Sequence, residues 1–528
     1  MKLGSAGLLL LAGCATAGSA SAPPPAPSPP PPPSSPPPPP PFAPPAAPTA
    51  ASPVAPSRVR ERLAPCHADG VPASALCGTY SVWENRTTQR GRKIDLAIVV
   101  LPALGEPAPD PIFELAGGPG GSSTPGAVFW ANEKALRAHR DIVLVDQRGT
   151  GGSHRLDCPV PRDPNDVQAY FEPTLPPAEV RRCRAELARD ADLTQYTTSI
   201  AADDLDEVRA WLGYDRINLD GGSYGTRAAQ VYLRRHGDHV RTANLIGVTA
   251  MNLYLPLFYA RDGKHALDLL FDECAHDPAC HAAFPALADD HAKVLRSLER
   301  ARGHATVERP VDHHPVQVTI PRNTFPEQIR YALYSSTSAS AVPYVLHRAA
   351  QGDFTPFARL AMLWEPGLRH TIAFGMHLSV TCAEDVPFFT QDEIDREIKG
   401  TYLGGYRVLQ QVAACREWRR GEIPADFHAP VTSDVPVLLV SGAYDPVTPP
   451  HWAEQVAPHY AHGLHLLVPY GHHGADGLSN PGCLDNISVA FIERGTTEGL
   501  DTSCVSTMMS PPFIVDDAGF AGLVKRSE

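Results

Sequence analysis

Three observations predict an α/β fold with a mostly parallel sheet, helices on both of its faces and an inserted, mainly helical cap. Short continuous apolar runs alternate with helical stretches, the alternation stops between about residues 252 and 425, and two further strand-like runs follow Val435. Continuous apolar strands separated by helices are buried on both faces, which is the signature of a parallel sheet. The last two runs would form an orphan sheet by themselves, so one domain carrying an insertion fits better than two domains in series.

The chain of 528 residues begins with Met1-Lys2 and the run GLLLLAGC, which is too short to span a bilayer and reads as an export signal. Leu11-Ala12-Gly13-Cys14 resembles the bacterial lipobox, whose cysteine is lipidated and becomes the new N-terminus. The expected product is an exported bacterial lipoprotein of the cell envelope, periplasmic or at the cell surface, anchored in a membrane through Cys14. Residues 1–21 are assigned to this leader and the start of a linker. Residues 22–57 are mostly proline with alanine and serine, a composition that builds no core and favours extended polyproline II. At about 3.1 Å per residue such a tether reaches on the order of 100 Å. The remaining boundaries follow from the strand pattern, with a core over 58–251, the cap over 252–425 and a second core segment over 426–528.

Ten cysteines follow Cys14, and an even count in an exported protein points to disulfides. Pairing neighbours in order gives five short loops: Cys66–Cys77, Cys158–Cys183, Cys274–Cys280, Cys382–Cys415 and Cys483–Cys504. Spacing alone leaves other connectivities open. The formal net charge is −13 and basic residues do not cluster, so the electrostatic footprint of a nucleic-acid binder is absent. Oligomeric state is not legible.

In chain order, strands are expected within IDLAIVVLPA (94–103), PIFELAGG (111–118), RDIVLVDQRG (140–149) and DRINLDGG (215–222). RTANLIGV (241–248), VPVLLVSGAYD (435–445) and LHLLVPYG (464–471) complete the set. Most are short, rich in β-branched residues or leucine, and closed by Gly, Pro or Asp. Between them, SIAADDLDEVRAWLGY puts Leu205, Val208 and Leu212 on one helical face.

Gly221-Gly222-Ser223-Tyr224-Gly225 has the form G-x-S-x-G, follows a strand and opens a helix. Glycines admit a turn too sharp for side chains, and the serine hydroxyl is presented above the sheet edge. A serine nucleophile needs a base, an orienting acid and an oxyanion hole. Asp445 ends one later strand in a turn fixed by Pro446, and His472 and His473 end the next. That gives the order Ser, Asp, His found in α/β-hydrolases. His473 is the expected base, directly before Gly474, with His472 as the alternative. The glycine-rich ELAGGPGGSS after the strand near Phe113 supplies the oxyanion hole, with backbone N–H groups of Gly118 and Tyr224 as donors. Adjacent histidines rarely point at one ion, so a metal site from His472, His473 and Asp476 is not expected, and no metal or organic cofactor is implied.

Together AGGPGG, VLVDQRGTGGS, GGSYGT, SGAYDPVTPP and the terminal His-Gly resemble the proline iminopeptidase and tripeptidyl aminopeptidase branch of the α/β-hydrolases, over roughly residues 75 to 505. The resemblance implies a serine aminopeptidase with a helical cap that releases residues or tripeptides from short peptides. Iminopeptidases carry His-Gly-Gly-Pro-Gly, whereas this chain has Ala116 in the first position, which argues against strict proline specificity. TCAEDVPF resembles a Cys-x-Glu/Asp segment of the family, making Glu384 and Asp385 candidates for the substrate ammonium, which needs a charged partner when buried. The rival expectations are a carboxylesterase using the same three residues and a non-catalytic surface binding protein.

Overall fold

A computed structural model describes residues 58–67, 71, 75–158 and 166–527. Cys14, the leader and the tether lie outside the described residues. The strands are β1 Ala64–Cys66, β2 Ala75–Trp83, β3 Lys93–Leu101, β4 Ile112–Leu115, β5 Ile142–Val145, β6 Ile217–Gly222, β7 Val240–Ile246, β8 Gly303–Glu308, β9 Pro315–Ile320, β10 Val437–Gly442 and β11 Gly463–Val468. Nine of them form one sheet in the order β1-β2-β3-β5-β4-β6-β7-β10-β11, while β8 and β9 pair only with each other. The β1, β2, β3 and β5 neighbours run antiparallel, and every pairing from β5 through β4, β6, β7 and β10 to β11 is parallel.

The parallel strands are apolar throughout because both of their faces are covered. In β5, Val143 and Val145 enter one core cluster with Phe113, Leu219 and Leu245, whereas Ile142 and Leu144 enter another with Ile112, Leu438 and Phe491. The helix Thr198–Leu212 lies on the first face through Leu205, Val208 and Leu212, and the left-handed Gly213 ends it. Between β7 and β10 the chain builds a mainly helical region with the β8–β9 hairpin and its own core around Phe325, Ile329, Phe357 and Leu346. Five disulfides join neighbouring cysteines: Cys66–Cys77, Cys158–Cys183, Cys274–Cys280, Cys382–Cys415 and Cys483–Cys504. Because β4, β6, β10 and β11 are parallel, the loops after them emerge at one edge of the sheet, where α/β folds bind ligands.

Candidate active site

The turn between β6 and the helix Tyr224–His236 holds Ser223 at φ 56° and ψ −125°, a conformation that non-glycine residues rarely adopt. The serine N–H donates to the Ile246 carbonyl at 2.9 Å, and its carbonyl accepts from Thr226 Oγ1 at 2.6 Å and Thr249 Oγ1 at 3.0 Å. These bonds over-determine the strained residue. Both outer glycines of the motif are sterically required, since a Cβ on Gly225 would lie 1.9 Å from the Leu115 carbonyl oxygen and one on Gly221 would lie 2.7 Å from that of Gly225.

The glycine loop after β4 passes beside the serine: a Cβ on Gly117 would stand 3.8 Å from Ser223 Oγ. Gly118 has φ +129°, and a Cβ there would meet the Gly120 and Gly121 nitrogens. Backbone therefore approaches Ser223 without side chains intervening. Gly118, Ser223 and His473 line one cavity of about 580 Å³, within the range typical of small-molecule sites.

His473 Nδ1 lies 2.8 Å from Asp445 Oδ2. Thr448 Oγ1 donates to the same carboxylate oxygen at 2.7 Å, and the Val447 and Thr448 N–H groups each donate to Oδ1 at 2.8 Å. Burial alone would raise the Asp445 pKa, but the His473 imidazole and the Thr448 donors outweigh it and hold the carboxyl below its ordinary value. The His473 backbone N–H donates to the Tyr334 carbonyl at 3.1 Å, and the Tyr334 ring packs edge-on against the imidazole with centroids 4.9 Å apart. His472 occupies different surroundings. Its Nδ1 sits 2.6 Å from the Leu333 carbonyl, its ring packs on Tyr444, and burial lowers its pKa.

The expected amine site is corrected. Glu384 and Asp385 are both fully buried and line no part of the Ser223 cavity. Glu384 accepts from the Thr198 N–H at 2.6 Å and from Thr198 Oγ1 at 2.7 Å, and that hydroxyl also meets Tyr224 Oη at 2.6 Å. Asp385 pairs with the fully buried Arg227 at 2.9 Å. Asp385 therefore ties the end of the helix Phe374–Glu384 to the helix that begins beside Ser223, and Glu384 ties it to the start of the helix Thr198–Leu212. A buried carboxylate persists only with such partners, and these hold Glu384 and Asp385 off the lining of the Ser223 cavity. Burial raises the Glu384 pKa to about 7, against the opposing pull of Arg227.

Thr448, Tyr334, Arg330 and Arg407 belong to the site without having been singled out from sequence. Thr448 had a usable signal, a hydroxyl three residues after the strand-end aspartate. The others come from the inserted region and carry no local signal. Among the described residues, one group has the spacing to hold a metal, Asp206 with His236 and His239, but Arg209 and Tyr232 already occupy the Asp206 carboxylate.

An imidazole fixed by a buried carboxylate, opening into one cavity with a serine on a strained strand-to-helix turn, defines a serine hydrolase of the α/β-hydrolase fold. The model of the TAP-like protein family matches residues 401–504, the segment that carries Asp445 and His473. The tripeptidyl aminopeptidase of Streptomyces lividans is 31% identical over 491 residues, covering 83% of this chain and 85% of that protein. The serine protease Hip1 of Mycobacterium tuberculosis is 24% identical over 478 residues, with coverage of 83% and 90%. The proline iminopeptidase of Neisseria gonorrhoeae is 27% identical over 144 residues, 27% of this chain and 34% of that protein. The chain belongs to the tripeptidyl aminopeptidase family of serine peptidases.

Proposed function

We propose that the protein is a serine aminopeptidase that releases N-terminal tripeptides or residues from short peptides, with Ser223, His473 and Asp445 as its triad. The observation that carries this reading is the His473–Asp445 pair opening into the cavity that holds Ser223. Asp445 accepts from His473 Nδ1–H, which leaves Nε2 free to take the Ser223 proton. Ser223 Oγ then bonds to the scissile carbonyl carbon, and the oxyanion receives hydrogen bonds from the Gly118 and Tyr224 N–H groups. Such a donor contributes about 3 to 4 kcal/mol. His473 returns the proton to the departing amine, leaving an acyl-enzyme, and water activated by the same imidazole hydrolyses it.

Two carboxylates, Glu172 and Glu327, border a smaller cavity that shares Tyr331, Phe374 and Arg407 with the first, whereas among the described residues no carboxylate lines the Ser223 cavity itself. An ammonium one residue from the scissile bond would be left without a counter-charge, so release of more than one residue is favoured. A carboxylesterase would show the same lack of carboxylates beside Ser223, and the test must separate the two. Free-amino Pro-, Ala- and Ala-Ala-Pro-anilides, their N-acetylated forms and a short acyl ester are compared on wild type and Ser223→Ala. Serine-dependent cleavage of the free-amino tripeptidyl anilide supports the proposal. Turnover of the ester alone overturns it.

Export and lipidation at Cys14 belong to the same proposal, with a membrane as the anchoring partner. Five disulfides suit an oxidising compartment. Metabolic labelling with radioactive palmitate that is lost in Cys14→Ala is the expected result, and label retained by that variant would contradict it.

A further inference from the structure

Arg407 lies in the first turn of the helix Tyr406–Glu417 and lines both the Ser223 cavity and the smaller one bordered by Glu172 and Glu327. Its side chain keeps 15% exposure. Among the described residues its one hydrogen bond runs from Nη1 to Gln411 Oε1 at 2.9 Å. Its Nε stands 3.8 Å from Glu327 Oε1, beyond hydrogen-bond reach.

Glu327 is taken up elsewhere. Arg330 donates to both of its oxygens, from Nε at 3.2 Å and from Nη2 at 2.8 Å, while Arg330 Nη1 donates to Tyr334 Oη at 3.0 Å. One carboxylate therefore faces two guanidinium groups, and among the described residues Arg407 is the one with no acid within hydrogen-bond distance. Among the described residues, the wall of the Ser223 cavity carries these two arginines and no acid to balance the second. His377 on the same wall feels that field: burial first, and Arg407 next, lower its pKa to about 4, so it stays neutral at physiological pH.

A guanidinium presents a planar fork that matches a carboxylate in two parallel bonds. Its partly solvated position on the wall of the cavity that holds Ser223 lets it receive that group from a ligand. We propose that Arg407 is a specificity-determining residue that binds a carboxylate of the substrate, an aspartate or glutamate side chain in the acyl portion, so that acidic peptides are the favoured class. The inference rests on the serine peptidase reading above. Backbone carbonyls of a substrate would also accept from Arg407, but they would give no preference between acidic and neutral residues.

The test uses free-amino tripeptidyl anilides in which each position in turn carries Glu or Gln, assayed on wild type, Arg407→Gln and Arg407→Lys. Thermal unfolding of each variant checks that it is folded. The expected result is a kcat/KM ratio of Glu to Gln of roughly tenfold or more at one position. That ratio falls toward one in Arg407→Gln, is partly kept in Arg407→Lys and shrinks with added salt. A ratio near one at every position of wild type, or one that survives in Arg407→Gln, overturns the proposal. Absence of serine-dependent anilide turnover would instead defeat the peptidase reading. The carboxylate site is then decided separately by protection of Ser223 from fluorophosphonate labelling: N-acetylglutamate α-amide must protect better than N-acetylglutamine α-amide in wild type and lose that advantage in Arg407→Gln, and equal protection overturns it.

Discussion

Replacing Gly225 with alanine should disable the site while a neighbouring replacement, Gly222→Ala, should not. The added Cβ at 225 would lie 1.9 Å from the Leu115 carbonyl oxygen, 2.8 Å from its carbon and 3.1 Å from the Ala116 oxygen, all of them backbone atoms. The nearest contact falls more than about 1.5 Å short of the roughly 3.5 Å at which nonbonded attraction begins to win. Overpacking of this kind costs about 1 to 3 kcal/mol and occasionally more. Relief requires the helix Tyr224–His236 to move away from β4, and the chain leaving β4 is the loop that carries Gly118. Ser223 and the Gly118 backbone would separate, and a misplacement of about 1 Å lowers rates on the order of 10²-fold. At Gly222 a Cβ meets nothing within 4 Å, so alanine fits there. The assay is the second-order rate of fluorophosphonate labelling, with thermal unfolding measured in parallel. Gly225→Ala should label about a hundredfold more slowly and unfold several degrees lower, with Gly222→Ala near wild type. Equal behaviour of the two variants would refute the steric reasoning.

Thr448→Val removes a 2.7 Å donor from Asp445 and should lower kcat by about tenfold or more with little change in KM, as a charge-assisted bond is worth about 1.5 to 3 kcal/mol; an unchanged kcat would show that the backbone donors suffice. Asp385→Asn leaves Arg227 buried without its counter-charge and should cost about 3 to 5 kcal/mol in denaturant unfolding. KM should change alike for free-amino and N-blocked substrates, and a rise confined to the free-amino series would restore the amine-site role. Glu114 and Asp220 are register partners on β4 and β6, and burial raises the Glu114 pKa to about 7. The folded state then holds a proton that the unfolded state releases near pH 4.5, so stability falls as pH rises from about 4.5 to 7, by up to about 3 kcal/mol. Glu114→Gln should flatten that slope, and a calorimetric pH series in which both proteins lose stability equally would contradict the assignment.

The sequence singles out Ser223, Asp445 and His473 as candidates because each lies within a few residues of its strand's end and beside Gly or Pro, and the structure pairs the latter two and opens His473 into the cavity that holds Ser223. The central strands were legible for a related reason, since burial on both faces writes a continuous apolar run. β2 was not, because it lies among the antiparallel strands and mixes Thr79, Tyr80 and Ser81 with buried Leu76 and Val82. The β8–β9 hairpin was hidden in a stretch that reads as helical, although Ala305 and Val307 alternate with exposed His304 and Thr306. Glu384 and Asp385 misled for a physical reason: their partners Thr198 and Arg227 stand 186 and 158 residues away, so sequence displays the charges without what neutralises them. Arg407 and Tyr334 reach the cavity only through the packing of the inserted region, which no local pattern encodes.

The most direct test of the central claim is mass spectrometric mapping of the fluorophosphonate adduct on wild type, Ser223→Ala, His473→Ala and His472→Ala. The account predicts one adduct, on Ser223, that disappears in Ser223→Ala, is strongly slowed in His473→Ala and persists in His472→Ala. An adduct on another residue, no adduct at all, or loss of labelling in His472→Ala with retention in His473→Ala would contradict it.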